Sequence, residues 1–393
     1  MNDLKNDKHA QAQMQQWRRY LHQYPETAYE EHNTATFVAE KLLSFGLDVH
    51  TGIGQTGVVG VLNVGNSDKK IALRADMDAL FIHEENQFEH KSKHDGKMHA
   101  CGHDGHTAML LGAAKYLAEH QNFNGTVYFI FQPAEEGRAG AKQMIDDGLF
   151  ERFPADCVFG LHNFHDVPVG HFAIKSGAMM ASFDSFEILL TGRATHAAMP
   201  HLGNDAVLAS AHLITALQSI VSRNVEPHQP AVLSITQIHA GNTFNAIPET
   251  VRVCGTFRCF DKNVQTLIAN KIRQVVEGVC QMFSVKADIR FNPENSAYPV
   301  TINSDAETAL ALEAATKVVG QENINTNPTS SMGSEDFAFM LQEKAGCYVW
   351  LGNGSSENGC LLHNPHYDFN DESLTIGAAY WVQLVLLKLS SPF

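Results

Sequence analysis

The octapeptide HACGHDGH at residues 99–106 places the heaviest demand on any fold this chain can adopt. It puts His99, Cys101, His103, Asp104 and His106 within one short stretch. Gly102 and Gly105 let the backbone turn tightly enough to aim such groups inward. The residues that follow, HTAMLLGAAKYLAEH, read as an amphipathic helix starting near Asp104. The cluster therefore sits on a loop at a helix N-terminus, with Asp104 as the expected N-cap. Thiolate, imidazole and carboxylate are the donors that hold zinc and similar divalent ions. A His-rich surface turn that binds nothing has the same look, so the rest of the chain must decide.

Three apolar strands end in chemistry of the same kind. KKIALRAD closes on Arg74-Ala75-Asp76-Met77-Asp78. TVYFIF runs into Gln132-Pro133-Ala134-Glu135-Glu136-Gly137, and CVFGLHNF carries His162 with His165 three residues on. Apolar strands that turn polar at their C-terminal ends behave as buried parallel strands delivering side chains to a site. Adjacent carboxylates such as Glu135 and Glu136 are costly to bury unless positive charge lies beside them. Taken alone, the pair reads as a solvated loop.

Helices alternate with these strands: two over residues 8–45, one after the octapeptide, and others from 305 and from about 372. The expectation is an α/β fold with a doubly wound sheet and a site at the strands' carboxyl ends. Residues 183–294 change pattern to one βαββαβ unit, a ferredoxin-like α+β arrangement. The expected organisation is a catalytic, metal-binding domain over 1–182 and 295–393, with an inserted domain over 183–294.

Length and composition bound the function. A chain of 393 residues is long enough for two domains and a substantial core. A net charge of −15 makes nucleic acid and anionic membranes poor partners. No uncharged apolar run reaches the roughly 18 residues a membrane span needs. The N-terminus lacks the apolar core of a secretory signal. Seven scattered cysteines do not form a disulfide framework, so the expected location is a reducing cytoplasm.

Nine motifs in order carry a resemblance. They are RADMDAL (74–80), HACGHDGH (99–106), PAEEG (133–137), GLHN (160–163), THAAMPH (195–201), GNTFNAIP (241–248), GTFR (255–258), MGSEDF (332–337) and LHNP (362–365). Together they closely resemble the M20 metallopeptidase family, in its branch of N-acyl-amino-acid, hippurate and indole-acetyl-amino-acid hydrolases. One departure is Phe81, where that family usually has proline.

The resemblance implies two divalent metal ions per subunit, held by Cys101, His103, Glu136, His162 and His363. Zinc, manganese, nickel and cobalt all suit that donor set. Asp76, Asp78 and Asp104 then orient ligands, and His99, His106 and His165 are structural or orienting. Glu135 becomes the general base and acid. His196, a surface histidine on its own sequence context, becomes an oxyanion donor. Asn245 and Arg258 become a clamp for a substrate carboxylate, although Arg258 alone reads equally as an exposed strand arginine. The implied substrate is a small N-acyl amino acid, and the implied assembly is a homodimer through the 183–294 lid domain. A dipeptidase or a deacetylase of a diaminopimelate-type intermediate fits the same pattern. A non-catalytic binding protein has no need of a free base beside a metal. A structural zinc site favours paired cysteines in a closed four-ligand shell.

Overall fold

The computed structural model describes residues 3–293 and 297–390. The chain divides into two compact units, each with its own hydrophobic core. The first comprises Met1–Met179, Ile302–Thr329 and Asp336–Phe393; the second comprises Met180–Thr301 and Ser330–Glu335. The expected boundary at 294/295 lies outside the described residues.

The first unit opens with helices α1 (Lys8–Gln23) and α2 (His32–Ser44). Asp7 caps α1 by accepting from His9 and Ala10 N–H, and Met14, Trp17, Arg18, Leu21 and His22 form its buried face. Strands β1 (Asp48–Ile53) and β2 (Gly57–Val64) form a hairpin, followed by β3 (Lys70–Asp76), α3 (His103–His120), β4 (Gly125–Gln132), β5 (Cys157–His165) and the short β6 (Phe172–Ala173).

The second unit then supplies β7 (Asp184–Thr191), α4 (Ala206–Leu217), β8 (Ala231–Ala240), β9 (Thr250–Cys259), α5 (Lys262–Phe283) and β10 (Lys286–Phe291). The first unit resumes with α6 (Asp305–Val319), β11 (Ile324–Asn325), β12 (Gly346–Gly354) and α7 (Leu374–Lys388).

The large sheet has the order β1-β2-β4-β3-β5-β12-β6-β11. Its four central strands, β4, β3, β5 and β12, are mutually parallel. The flanks are not: β1 pairs antiparallel with β2, β2 with β4, and β6 with β12. The sheet is therefore mixed, and the doubly wound expectation holds for its centre only. The β1–β2 hairpin accounts for the first of these pairs, because a tight turn imposes antiparallel pairing. Every residue of β4 is buried, so both faces of the sheet are covered there. The parallel centre brings Asp76, Gln132 and His162 to one edge of the sheet, at the strands' carboxyl ends.

In the second unit the order is β8-β9-β7-β10, antiparallel throughout. Helix α5 buries Val264, Ile268, Ile272, Val276 and Val279, a stripe at helical spacing, and starts at Asp261, whose carboxylate accepts from Asn263 and Val264 N–H. The stretch Ala206–Asn224 is long and apolar enough to cross a membrane by length and composition alone. Here it is broken at Gln218 and packs Ala206, Ala209, Leu213, Leu217 and Ile220 into the unit's core. The segment 330–335, outside the expected 183–294, belongs to this unit, and Ala181 N–H donates to the carbonyls of Ser331 and Gly333 at 3.0 Å.

Candidate metal centre

The octapeptide turns at Gly102, whose φ is +91°. A Cβ there would stand 2.2 Å from Asn163 Oδ1 and 2.5 Å from the Tyr367 hydroxyl, so both conformation and space require glycine. The turn lets α3 begin at His103, with Gly102 at the cap position. Asp104 is thus not the N-cap. It lies in the first turn, fully buried, and its carboxylate accepts from His22 Nδ1 at 2.9 Å beside Arg18. The attraction of a buried histidine and a buried guanidinium outweighs what capping offers.

His103 and His162 are each oriented through Nδ1. His103 Nδ1 donates to the Asp78 carbonyl at 2.8 Å, with the Asp78 carboxylate 3.3 Å away. His162 Nδ1 donates to the carbonyl of Asn163 at 2.6 Å. With Nδ1 engaged in this way, each ring turns its Nε2 towards the site, the nitrogen that would be free to meet a metal ion. His103 Nε2 has no hydrogen-bond partner among the described residues, while His162 Nε2 lies 3.4 Å from Cys101 Sγ. Cys101, Glu136 and His363 offer donor atoms within 4.8 Å of one another, and so do His103, Glu135 and Glu136. Glu136 belongs to both of these groups.

His363 sits at φ +58°, a left-handed conformation unusual outside glycine, and its N–H donates to the Ala100 carbonyl at 2.7 Å. Its Nε2 lies 3.1 Å from Glu136 Oε1, in charge-pairing range but misaligned for a hydrogen bond. That pairing, against the opposing effect of burial, raises the His363 pKa.

The turn after β4 separates the two glutamates. Ala134 has φ +54°, Glu136 leaves helical geometry with ψ 86°, and Gly137 has φ +73°. The Glu136 N–H donates to Asp78 at 2.9 Å, and Glu135 accepts a long hydrogen bond of 3.4 Å from Asp336 N–H.

The electrostatics call for a cation. Burial, then Glu136 and Glu135, push the Cys101 thiol far above its ordinary pKa. Burial opposes charge on His103, yet Asp76 and Asp78 lift it to about 10. Carboxylates thus outnumber positive groups, and His103 Nε2, Glu136 Oε1 and Asp78 Oδ1 are buried without hydrogen-bond partners among the described residues. Thiolate, imidazole and carboxylate donors converging on such orphans fit divalent metal ions.

Other expected residues fall around this core. Asp76 Oδ1 accepts from His106 Nδ1 at 2.6 Å, and its Oδ2 from Arg74 at 2.7 Å. His106 Nε2 bonds Asn163 Oδ1 at 2.7 Å, so both its nitrogens are engaged and it orients rather than ligates. His99 is buried with neither nitrogen hydrogen-bonded among the described residues, and burial drops its pKa to about 3. His165 stacks on Phe164 with ring centroids 4.8 Å apart, outside the donor groups. Phe81 is 76 % exposed, with Lys97 Nζ 5.7 Å from its ring.

The chain also builds supports that sequence reading passes over. Arg74, fully buried, donates to Asp76, to Gln132 at 2.7 Å and to Asp336 at 3.1 Å. Asp336 also accepts from Gln132 and, at 2.9 Å, from Ala141 N–H. This network ties the ends of β3 and β4 together. The signal was present, since Arg74 and Asp336 lie inside the RADMDAL and MGSEDF motifs.

In the second unit, His196 and Asn245 come together. Thr195–His196 pairs with Ala246–Ile247, and Ala197 N–H donates to the Asn245 carbonyl at 3.0 Å. His196 is exposed, with Nδ1 accepting from Ala198 N–H. Arg258, on β9, lies over the Phe183 ring at 4.8 Å and donates to the Met332 carbonyl at 3.1 Å and Ser334 Oγ at 3.3 Å.

A mixed α/β sheet with a paired-carboxylate, histidine and cysteine cluster at its carboxyl edge defines a metallohydrolase. The family description Peptidase family M20/M25/M40 matches residues 72–387, and the chain belongs to that family. It is 46% identical to a hippurate hydrolase of Campylobacter jejuni over 379 residues, 96% of this chain and 97% of that one. It is 40% identical to an N-acetyl-L-cysteine deacetylase of Bacillus subtilis, covering 93% of this chain and 85% of the relative. A solved dinuclear metal-binding peptidase of the M20 family from Bacillus subtilis superposes with a TM-score of 0.84 at 33% identity, over 98% of this chain and 99% of that one. The protein is a metal-dependent hydrolase acting on linear amides.

Proposed function

We propose that this enzyme hydrolyses N-acyl amino acids to a carboxylate and a free amino acid, with Glu135 as general base and acid. One observation carries the reading: a single strained turn places two adjacent glutamates at the cluster, Glu136 grouped with Cys101 and His363 as well as with His103, and Glu135 grouped with His103 but not with Cys101 or His363, and held by Asp336 N–H. Cys101, His103, Glu136, His162 and His363 would hold two divalent ions. When bound, such ions polarise a carbonyl and acidify water.

Glu135 takes a proton from the attacking water, which adds to the amide carbonyl. It returns that proton to the leaving nitrogen as the C–N bond breaks. Asp78 and Asn163 fix the ring orientations of His103 and His162, and Asp76 acts on the site through His106. Asn245 and Arg258 receive the substrate's α-carboxylate, for which a guanidinium is suited. The names of the hippurate and N-acetylcysteine relatives support this substrate class.

The second unit serves as a ferredoxin-like lid and a dimerisation surface, and His196 acts as an oxyanion donor in the partner subunit's site. The unguarded outer edge of β8 supports this assembly. The seven free cysteines support a reducing, cytoplasmic location.

The test is a substrate panel with each candidate metal: N-benzoylglycine, N-acetylcysteine, a dipeptide, and the methyl esters of the first two. Only a free carboxylate gives the half-buried Arg258 guanidinium a charged partner, so the esters should lose on the order of 10- to 10²-fold in kcat/KM. Equal rates for acid and ester remove the carboxylate clamp from the reading.

A further inference from the structure

Two side chains outside the donor groups grip the turn that carries Glu135. The turn is bounded by Ala134 and Ala139, both at φ +54°, a conformation that alanine holds only when its surroundings enforce it. Glu31, fully buried, accepts the Ala134 N–H on Oε1 at 2.8 Å and the Thr56 hydroxyl on Oε2 at 2.7 Å. Tyr29, itself at φ +64°, donates its hydroxyl to the Arg138 carbonyl at 3.1 Å. The same segment reaches the other wall of the site. Thr27 bridges to Ala79, whose N–H donates to the Glu26 carbonyl at 2.8 Å, one residue beyond Asp78.

We propose that Tyr29 and Glu31 are positioning residues for Glu135, holding its turn at both ends so that the carboxylate meets the attacking water in one orientation. This rests on the reading of Glu135 as the general base. A buried carboxylate is an unfavourable way merely to anchor a loop. Burial, then Asp78, push Glu31 up to about 7, so the arrangement is kept at some expense of stability. Its two oxygens meet two donors, one of them the N–H of the residue directly before Glu135. The hydroxyl of Tyr29 secures the other end of the turn at the Arg138 carbonyl.

The experiment uses the metal-loaded enzyme with N-benzoylglycine and compares Glu31→Ala, Glu31→Gln and Tyr29→Phe. Metal content and melting temperature are measured alongside kcat and KM. Misplacing a catalytic group by an ångström costs on the order of 10²-fold, so Glu31→Ala should lower kcat by about 10- to 100-fold while KM and metal content stay within about twofold. Glu31→Gln keeps an acceptor for Ala134 and offers its NH₂ to Thr56 Oγ, and should recover to within about threefold of wild type. Tyr29→Phe should lower kcat by about threefold, the equivalent of a weak hydrogen bond. In a Glu135→Gln background, Glu31→Ala should add less than about twofold, because the group it positions is already gone.

Wild-type kcat in a folded Glu31→Ala enzyme overturns the proposal, as does a Glu31→Gln variant impaired as badly as the alanine. A penalty that persists in full without Glu135 also overturns it. If Glu31→Ala does not fold, Tyr29→Phe decides, and wild-type kcat there counts against the brace. Wild-type turnover by Glu135→Gln alone is a separate result, which removes the base and the brace together.

Discussion

Cys101 Sγ lies 3.4 Å from Nε2 of His162, although 61 residues separate the two in sequence. Ligands on one tetrahedral ion, at Zn–S about 2.3 Å and Zn–N about 2.05 Å, stand roughly 3.6 Å apart. The pair is thus spaced as co-ligands, and each arrives from a different part of the fold: the loop before α3 and the end of β5. The protein should bind two divalent ions per chain, and a chelator should abolish hydrolysis reversibly. Cys101→Ser should lower metal occupancy, because a hydroxyl rarely ionises where a thiol does. Elemental analysis of the purified protein and the variant checks this. Full activity in metal-stripped protein removes the metal from the mechanism.

Glu135 and Glu136 should fail in different ways. Glu135→Gln is nearly isosteric and should keep its metal while losing about 10²- to 10⁴-fold in kcat, the usual loss with a general base. Glu136→Gln should lose metal, since it lies among both donor groups. Parallel metal analysis and single-turnover rates separate the two, and the reverse pattern exchanges the assignments.

The strand-end position of this pair is legible locally, whereas alone it reads as a solvated loop and its opposite roles come only with the family resemblance. Donor residues at the ends of apolar strands are a local signal, because the strand period and the polar terminus lie in one short stretch. The same holds for the central parallel strands and for the βαββαβ order of the second unit. What the sequence hides is non-local. Asp104 looks like a cap from its neighbours, but its partner His22 is 82 residues away, and Gly102 had already taken the cap position. Arg74, Gln132 and Asp336 form one network from three strand or loop ends, and no spacing rule connects position 74 to 336. The assignment of 330–335 to the second unit has the same origin, in hydrogen bonds to Ala181 that no local pattern encodes.

The His22–Asp104 contact makes a pH prediction. Burial opposes a charge on His22, but hydrogen bonds to Asp104 and Glu84 raise its pKa from 6.5 to about 9. The folded protein therefore holds a proton that the unfolded chain releases between those values. The resulting stability is complete below pH 6.5 and is lost as pH rises through about 9. Its size is of order 3 kcal/mol at the lower pH. Urea unfolding of wild type and His22→Gln should give a stability gap that is largest near pH 6.5 and narrows towards pH 9. A gap that stays flat or widens with pH means His22 is neutral in the folded protein.

The last prediction concerns assembly and the role of His196. The two edges of the four-stranded sheet differ. On β10 the edge carries Lys286, Asp288 and Arg290, charges that discourage pairing with another strand. On β8 the sequence AVLSITQIHA has no charged residue, and Val232 and Ile238 are 38 % and 53 % exposed. Helix α4, which packs against β8, leaves Val207 and Leu208 similarly uncovered. An unguarded strand beside an apolar helix face suits self-pairing about a two-fold axis. Wild type should therefore sediment as a dimer and Ile238→Lys as a monomer. If His196 works in the partner's site, that monomer should also lose turnover while keeping its metal. Complementation tests the same point without altering the interface. Mixing inactive His196→Ala with inactive Glu135→Gln, and allowing subunits to exchange, creates dimers in which one site has both Glu135 and a partner's His196. Statistical mixing makes half the protein mixed dimer with one good site of two, so activity should return to about a quarter of wild type. No recovery despite proven exchange, or a fully active monomer, returns His196 to an ordinary exposed histidine.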